Sequence, residues 1–129
     1  MKKWTFFIVA LLWISLPAHS KDLQLKKKAG KYEVEIKIDK NPPILGDNNL
    51  EIEIKDASGA SITDAKVLVN YYMPPMPRMA PMNYSTTAVL KGDTYRATMD
   101  IIMSGPWIIR IIIHRQARRT TAKFNVDAQ

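Results

Sequence analysis

The chain has 129 residues, 24% of them charged and 47% hydrophobic, a balance that excludes a disordered or wholly membrane-embedded chain and fits one globular domain. Its 19 Lys and Arg outnumber its 12 Asp and Glu, for a formal net charge of +7. It has no cysteine, which excludes disulfides, a lipid-modified cysteine and thiolate metal ligation, and leaves methionine sulfur and histidine nitrogen as the soft donors.

The chain opens MKKWTFFIVALLWISLPAHSKD. Lys2 and Lys3 form a basic start, Trp4 to Leu16 an apolar core, and Pro17 breaks it. Ala18-His19-Ser20 has the small-x-small form of a cleavage site. A membrane span needs about 20 apolar residues, and this stretch is shorter. The expectation is a signal peptide over residues 1–20, a mature domain over residues 21–129, and a periplasmic or otherwise exported protein. An uncleaved anchor is the alternative. His19 leaves with the signal. Two of the 19 cations sit in the signal and all 12 acids follow it, so the mature charge is 17 − 12 = +5. Small basic clusters occur at Lys26-Lys27-Lys28 and at Arg115, Arg118 and Arg119. Nucleic-acid binding does not suit an exported protein. Solvated strand faces account for the clusters, and contact with anionic lipid headgroups or an acidic partner is the functional counterpart.

Period-two alternation runs through the mature chain. Tyr32, Val34, Ile36 and Ile38 alternate with Glu33, Glu35, Lys37 and Asp39. Asn41-Pro42-Pro43 ends that strand, and Gly46 with Asn48-Asn49 turns into the next as a strand-to-strand crossover. Leu50, Ile52 and Ile54 then alternate with Glu51, Glu53 and Lys55. Such strands have one buried and one wet face. Asp56 to Ser61 is a turn, and Lys91-Gly92-Asp93 joins a strand ending near Leu90 to one starting near Thr94. Tyr95, Ala97, Met99, Ile101 and Met103 share a face of the latter. Ser104-Gly105-Pro106 turns the chain again. Trp107 to His114, apolar but for Arg110, reads as a central strand covered on both sides, and Arg119 to Val126 as the last strand. Seven or eight short strands without a helical stretch predict an all-β, immunoglobulin-like antiparallel β-sandwich, with a barrel as the alternative. No repeat and no linker divides it.

Several motifs fall in a fixed order. Pro43-x-x-Gly46-x-Asn48 is followed by Asp56, Gly59, Ala65 and Val67, then by the Tyr-x-Met-Pro-Pro-Met-Pro-x-Met stretch from Tyr71 to Met79. Gly92-Asp93-Thr94-Tyr95-Arg96-Ala97 comes next, then Met103, Gly105-Pro106-Trp107 and Ile111. In these residues the chain resembles the YtkA-like domain, related to the FixH family of exported or membrane-anchored bacterial proteins. The methionine-proline loop followed by Gly-Pro-Trp is the specific part. The resemblance covers most of the mature chain. It implies an immunoglobulin-like sandwich and links the chain to copper or heavy-metal handling, with a metal-efflux or respiratory oxidase-assembly protein as partner.

The stretch NYYMPPMPRMAPMNYS places Met73, Met76, Met79 and Met82 three residues apart, with Pro74, Pro75, Pro77 and Pro81 between them. Proline fixes its own φ and pushes its predecessor toward extended geometry. Met73, Pro74, Met76 and Ala80 all precede proline, which predicts local polyproline II. That helix has three residues per turn and rises ~3.1 Å per residue, so the four methionines would share one edge, ~9 Å apart. Two neighbours could then meet at one ion, and three only if the loop bends.

Three readings follow. The first is a soft-metal site for Cu(I) formed by Met73, Met76, Met79 and Met82, with His114 completing it if the strand end lies beside the loop. Met99 and Met103 have core parity and are assigned to packing. The second is a docking edge for a protein partner, extended by Tyr71, Tyr72 and Tyr84. The third is a plug over the open end of the core. No nucleophile and base are spaced for catalysis, and no phosphate loop is present, so an enzyme is not expected.

Overall fold

The computed structural model describes residues 22–129, and the expected signal peptide lies outside them. The described residues form nine strands: β1 (Leu23–Ala29), β2 (Tyr32–Ile38), β3 (Gly46–Lys55), β4 (Lys66–Tyr72), β5 (Asn83–Thr87), β6 (Val89–Lys91), β7 (Thr94–Ile101), β8 (Gly105–Arg115) and β9 (Arg118–Ala128). They build two sheets of order β1-β2-β3-β7-β6 and β5-β4-β8-β9, antiparallel throughout. The fold is a β-sandwich. The order β2-β3-β7-β6 against β5-β4-β8-β9 is that of an immunoglobulin domain whose second sheet carries one extra edge strand.

Nine strands replace the seven or eight expected, for two reasons. The segment read as one strand ending near Leu90 changes sheets at buried Ala88, giving β5 in one sheet and β6 in the other. Strand β1 escapes the alternation rule because Lys26-Lys27-Lys28 interrupts it, yet it pairs with β2 along its whole length. The connection after β2 is residues 39–45, since Gly46, Asn48 and Asn49 already belong to β3, and it joins two neighbouring strands of one sheet without crossing between sheets.

The core lies between the sheets. Val34, Ile36, Ile38, Leu50, Ile52, Ile54, Met99 and Ile101 face Val67, Val69, Trp107, Ile109, Ile111, Ile113 and Phe124. Burying each such side chain contributes about 1.5–3 kcal/mol. Strand β8 is central to its sheet, between β4 and β9. It is fully covered only on its inner face: on the outer face Ile112 is buried, Ile108 and Arg110 are half-buried and His114 is exposed. Among the described residues, no third layer covers that side.

The strand directions sort the connections to two ends. One end holds the 39–45 loop, the 73–82 loop, the turn before Gly105 and the C-terminus. Gly46 pairs with Ile101, Gly105 with Ala128, and the Gln129 N–H donates to the Pro43 carbonyl at 2.9 Å. Asn48, completely buried, fixes the 39–45 loop. It accepts from the Ile44 N–H at 2.9 Å and donates to the Ile44 and Gly46 carbonyls at 2.7 and 3.1 Å. The opposite end holds the β1–β2, β3–β4, β6–β7 and β8–β9 connections.

Candidate metal site in the methionine-proline loop

The loop from Met73 to Met82 joins β4 to β5 and does not run straight. Met76-Pro77-Arg78-Met79 is a reverse turn, closed by the Met79 N–H on the Met76 carbonyl at 3.3 Å, with Arg78 at φ 68°. Proline at the second position and a left-handed residue at the third are the marks of a type II turn. Below the turn the Met73 N–H donates to the Met82 carbonyl at 3.0 Å, one step beyond the Tyr72–Asn83 pair. The loop is therefore a proline-stiffened hairpin, in which Met73 stands opposite Met82 and Met76 opposite Met79. This corrects the straight edge with ~9 Å spacing expected of a polyproline II run. Polyproline geometry has no internal hydrogen bonds, so one cross-chain bond and one hydrogen-bonded turn suffice to fold it back.

The consequence is convergence. Met73, Met76, Met79 and Met82, with Pro74, Pro75, Ala80 and Pro81, line one cavity of about 10 Å³, the volume of a single water-sized sphere. No carboxylate lines it, and Arg78 is exposed. Among the described residues no three His, Asp or Glu are grouped to hold a metal. The only side-chain donors among its lining residues are thioethers, which suit a soft monovalent ion and not a hard divalent one.

The four methionines are not equivalent. Met73 is buried and belongs to the core, Met76 and Met82 pack partly against it, and Met79 is half-buried. Beneath them lies an aromatic floor in which Tyr71 and Tyr84 are 5.6 Å apart and Trp107 stands 6.0 Å and 6.4 Å from them. The Trp107 N–H donates to the Met103 carbonyl at 2.8 Å, and the Tyr71 hydroxyl accepts from the Asp100 N–H at 3.2 Å. Gly105 completes the floor: a Cβ there would stand 3.1 Å from the Met73 methyl. The floor thus ties the loop to the Gly-Pro-Trp segment thirty residues onward. The pairing of Met-Pro and Gly-Pro-Trp motifs in the sequence was the available signal for it.

His114 is not part of this site. It pairs with Lys66 and Arg119 in the sheet, whereas the loop follows the Tyr72–Ile108 pair six residues away, about 20 Å along the strand. It lines a different cleft, with Asp64, Lys66 and Arg115 to Arg119. The strand between Trp107 and His114 is continuous, so its two ends cannot meet. Met99 is fully buried in the core, and Met103 is half-buried. A broad cleft of about 710 Å³ on the outer face of the five-stranded sheet holds no methionine, and its Arg96 and Glu51 are paired at 3.5 Å.

Other residues of the sequence motifs have structural roles. The Asp56 carboxylate accepts from the Ser58 and Ala60 N–H groups at 2.9 and 3.1 Å, and Gly59 follows at φ 89°. The Tyr95 hydroxyl donates to the Ile62 carbonyl at 3.0 Å and accepts from the Ala65 N–H at 3.1 Å, closing the β3–β4 connection.

No curated protein and no solved structure matches the chain. A family model described as YtkA-like matches residues 26–112, from within β1 to within β8. That span takes in the methionine-proline hairpin, its aromatic floor and the Asp56 and Tyr95 contacts, and the chain belongs to the YtkA-like family.

Proposed function

We propose that this protein is an exported, non-enzymatic accessory module that captures Cu(I), or an equally soft monovalent ion, through the thioethers of Met73, Met76, Met79 and Met82. One observation carries the reading: the turn at Pro77-Arg78 brings all four side chains to one ion-sized cavity free of carboxylates. Thioethers are neutral and carry no proton to release, so the ligand set stays competent where histidine would be protonated. The prolines hold the hairpin in shape, which lowers the ordering cost of capture. A metal-efflux or oxidase-assembly protein is the proposed recipient.

The test is a Cu(I) titration against a chelator of known affinity, with the Met73→Leu/Met76→Leu/Met79→Leu/Met82→Leu variant as control. Expected are competition by the wild type at both pH 5 and pH 7, loss of it in the variant, and an unchanged fold. Failure of the wild type to compete overturns the metal reading. Retained binding in the variant moves the site elsewhere.

A second reading is favoured by one feature of the same end. Ile44, Leu45 and Ile102 are exposed there, 39%, 51% and 53% respectively, on the loops that flank the methionine hairpin. On this reading the hairpin docks a protein partner without metal, and a partner pull-down would survive Cu(I) chelation but not deletion of the hairpin.

A further inference from the structure

The outer face of the β5-β4-β8-β9 sheet carries far more basic than acidic side chains among the described residues. Its strand register sets Lys66, His114 and Arg119 side by side in one row, and Asn70, Arg110 and Lys123 in another. Arg110 and Lys123 are like charges directly opposite one another, an arrangement that is destabilising in a sheet. Asp127 is the one acid among the strand residues of this face, and it lies four residues from Lys123, opposite Pro106. The ion pairs of the described residues use Lys40, Lys55, Arg96 and Arg115, none of which belongs to these rows. The glutamates of β2 and β3 stand on the other sheet.

Arg110 is held in place. Its Nε donates to the Asn70 Oδ1 at 2.8 Å, and its guanidinium lies 5.2 Å over the Tyr72 ring. Asn70 is itself buried and donates to the Tyr84 carbonyl at 2.9 Å. The guanidinium is thereby oriented by neutral groups, and its charge is not cancelled. Lys27 adds a further cation at the β9 edge, where its Nζ donates to the Lys123 carbonyl at 3.0 Å. Between the basic rows lie half-buried Leu68 and buried Ile112, and half-buried Tyr72 and Ile108 flank the Arg110 row on its other side. At its far end is a cleft of about 390 Å³ lined by Lys66, His114, Arg118 and Arg119, where Asp64 is already bonded to Arg115 at 2.6 Å.

We propose that this face docks the protein on a bilayer surface of anionic phospholipid. Two parallel basic rows on one sheet face, separated by a row of apolar side chains, match a plane of repeated phosphates, whereas a single small anion would use only one row. The proposal is independent of the methionine site, which lies at the other end of β8.

Flotation of the purified protein with vesicles tests it. Vesicles of phosphatidylglycerol and phosphatidylcholine are compared with pure phosphatidylcholine, at low and at physiological salt. Lys66→Gln/Arg119→Gln/Lys123→Gln is compared with Lys26→Gln/Lys28→Gln/Lys91→Gln, which removes the same charge from the other sheet. All six side chains are exposed, and each variant is checked for an unchanged melting transition. Expected is salt-sensitive binding to the anionic vesicles only. Each basic residue near an anionic surface contributes roughly fivefold, so the first variant should lose about 100-fold and the second only a few-fold. Equal losses in the two variants, no loss in the first, equal binding to neutral vesicles, or no binding at all would each overturn the proposal.

Discussion

Met73 shows how a side chain takes two roles. Its backbone N–H closes the hairpin on Met82, and its side chain seals the core against Gly105 while lining the cavity. The core plug and the metal site are therefore not exclusive at this position. A Leu in its place conserves volume and should cost less than about 1.5 kcal/mol, so loss of metal binding in the quadruple variant would report on sulfur and not on folding. Gly105 is the sensitive neighbour. It sits at φ 124°, a region that disfavours any Cβ, and its added methyl would press on the Met73 methyl. The flexible end of Met73 can give way, so the backbone dominates the cost. Gly105→Ala should destabilise by about 1–3 kcal/mol in urea unfolding, and a change below a few tenths would show that the strain is absent.

At the scale of elements, the turns decide how far each strand runs. The β8–β9 hairpin closes through Gln116 and Ala117, both at positive φ, 53° and 61°, between the paired Arg115 and Arg118. Two left-handed residues make the turn whose twist suits a hairpin, and Asn-Gly is its preferred occupant. Gln-Ala adopts it only because an eleven-strand-residue ladder on each side enforces it. Ala117→Gly should thus raise stability, by up to about 1 kcal/mol, through relief of the left-handed penalty. A fall in the urea midpoint would count against this account. Alternation in the sequence marks the long strands well, yet it leaves out β1 and fuses β5 with β6. Periodicity reports burial of one face: the lysine run of edge strand β1 masks that signal, and the sheet change at Ala88 leaves no mark in it.

For the whole molecule, charge and acid response are linked. Burial pushes the Asp39 carboxyl up, but the Asn49 N–H, Lys40 and the Asn49 side chain outweigh it and hold the carboxyl below its ordinary value of 3.8. The Ser58 hydroxyl and the Ala60 N–H lower Asp56, and Arg115 lowers Asp64. A carboxyl that binds its proton less tightly when folded lends stability above its unfolded value and loses it as the pH falls through the folded one. The melting temperature should therefore be insensitive to these groups from pH 7 to about 5 and decline below about pH 4. Asp39→Asn should start lower at neutral pH and decline less. An equally steep decline in that variant would remove Asp39 from the explanation.

Composition and pattern alone determined the all-β class, the wet and buried faces of β2 and β3, the core face of β7, the existence of β9, the turns at Asp56 and Gly92, and the singling-out of four methionines among prolines. These follow from local rules: a period of two, and the fixed φ of proline. Tertiary structure decided what local rules do not reach. A turn at Pro77-Arg78 closed by one hydrogen bond, above a second at the hairpin base, gathered the methionines into one cavity, while the unbroken run of β8 carried His114 to the opposite end. The pairing of β4, β8 and β9 aligned cations that are far apart in sequence into rows on a single face, because register is set by partners and not by neighbours along the chain.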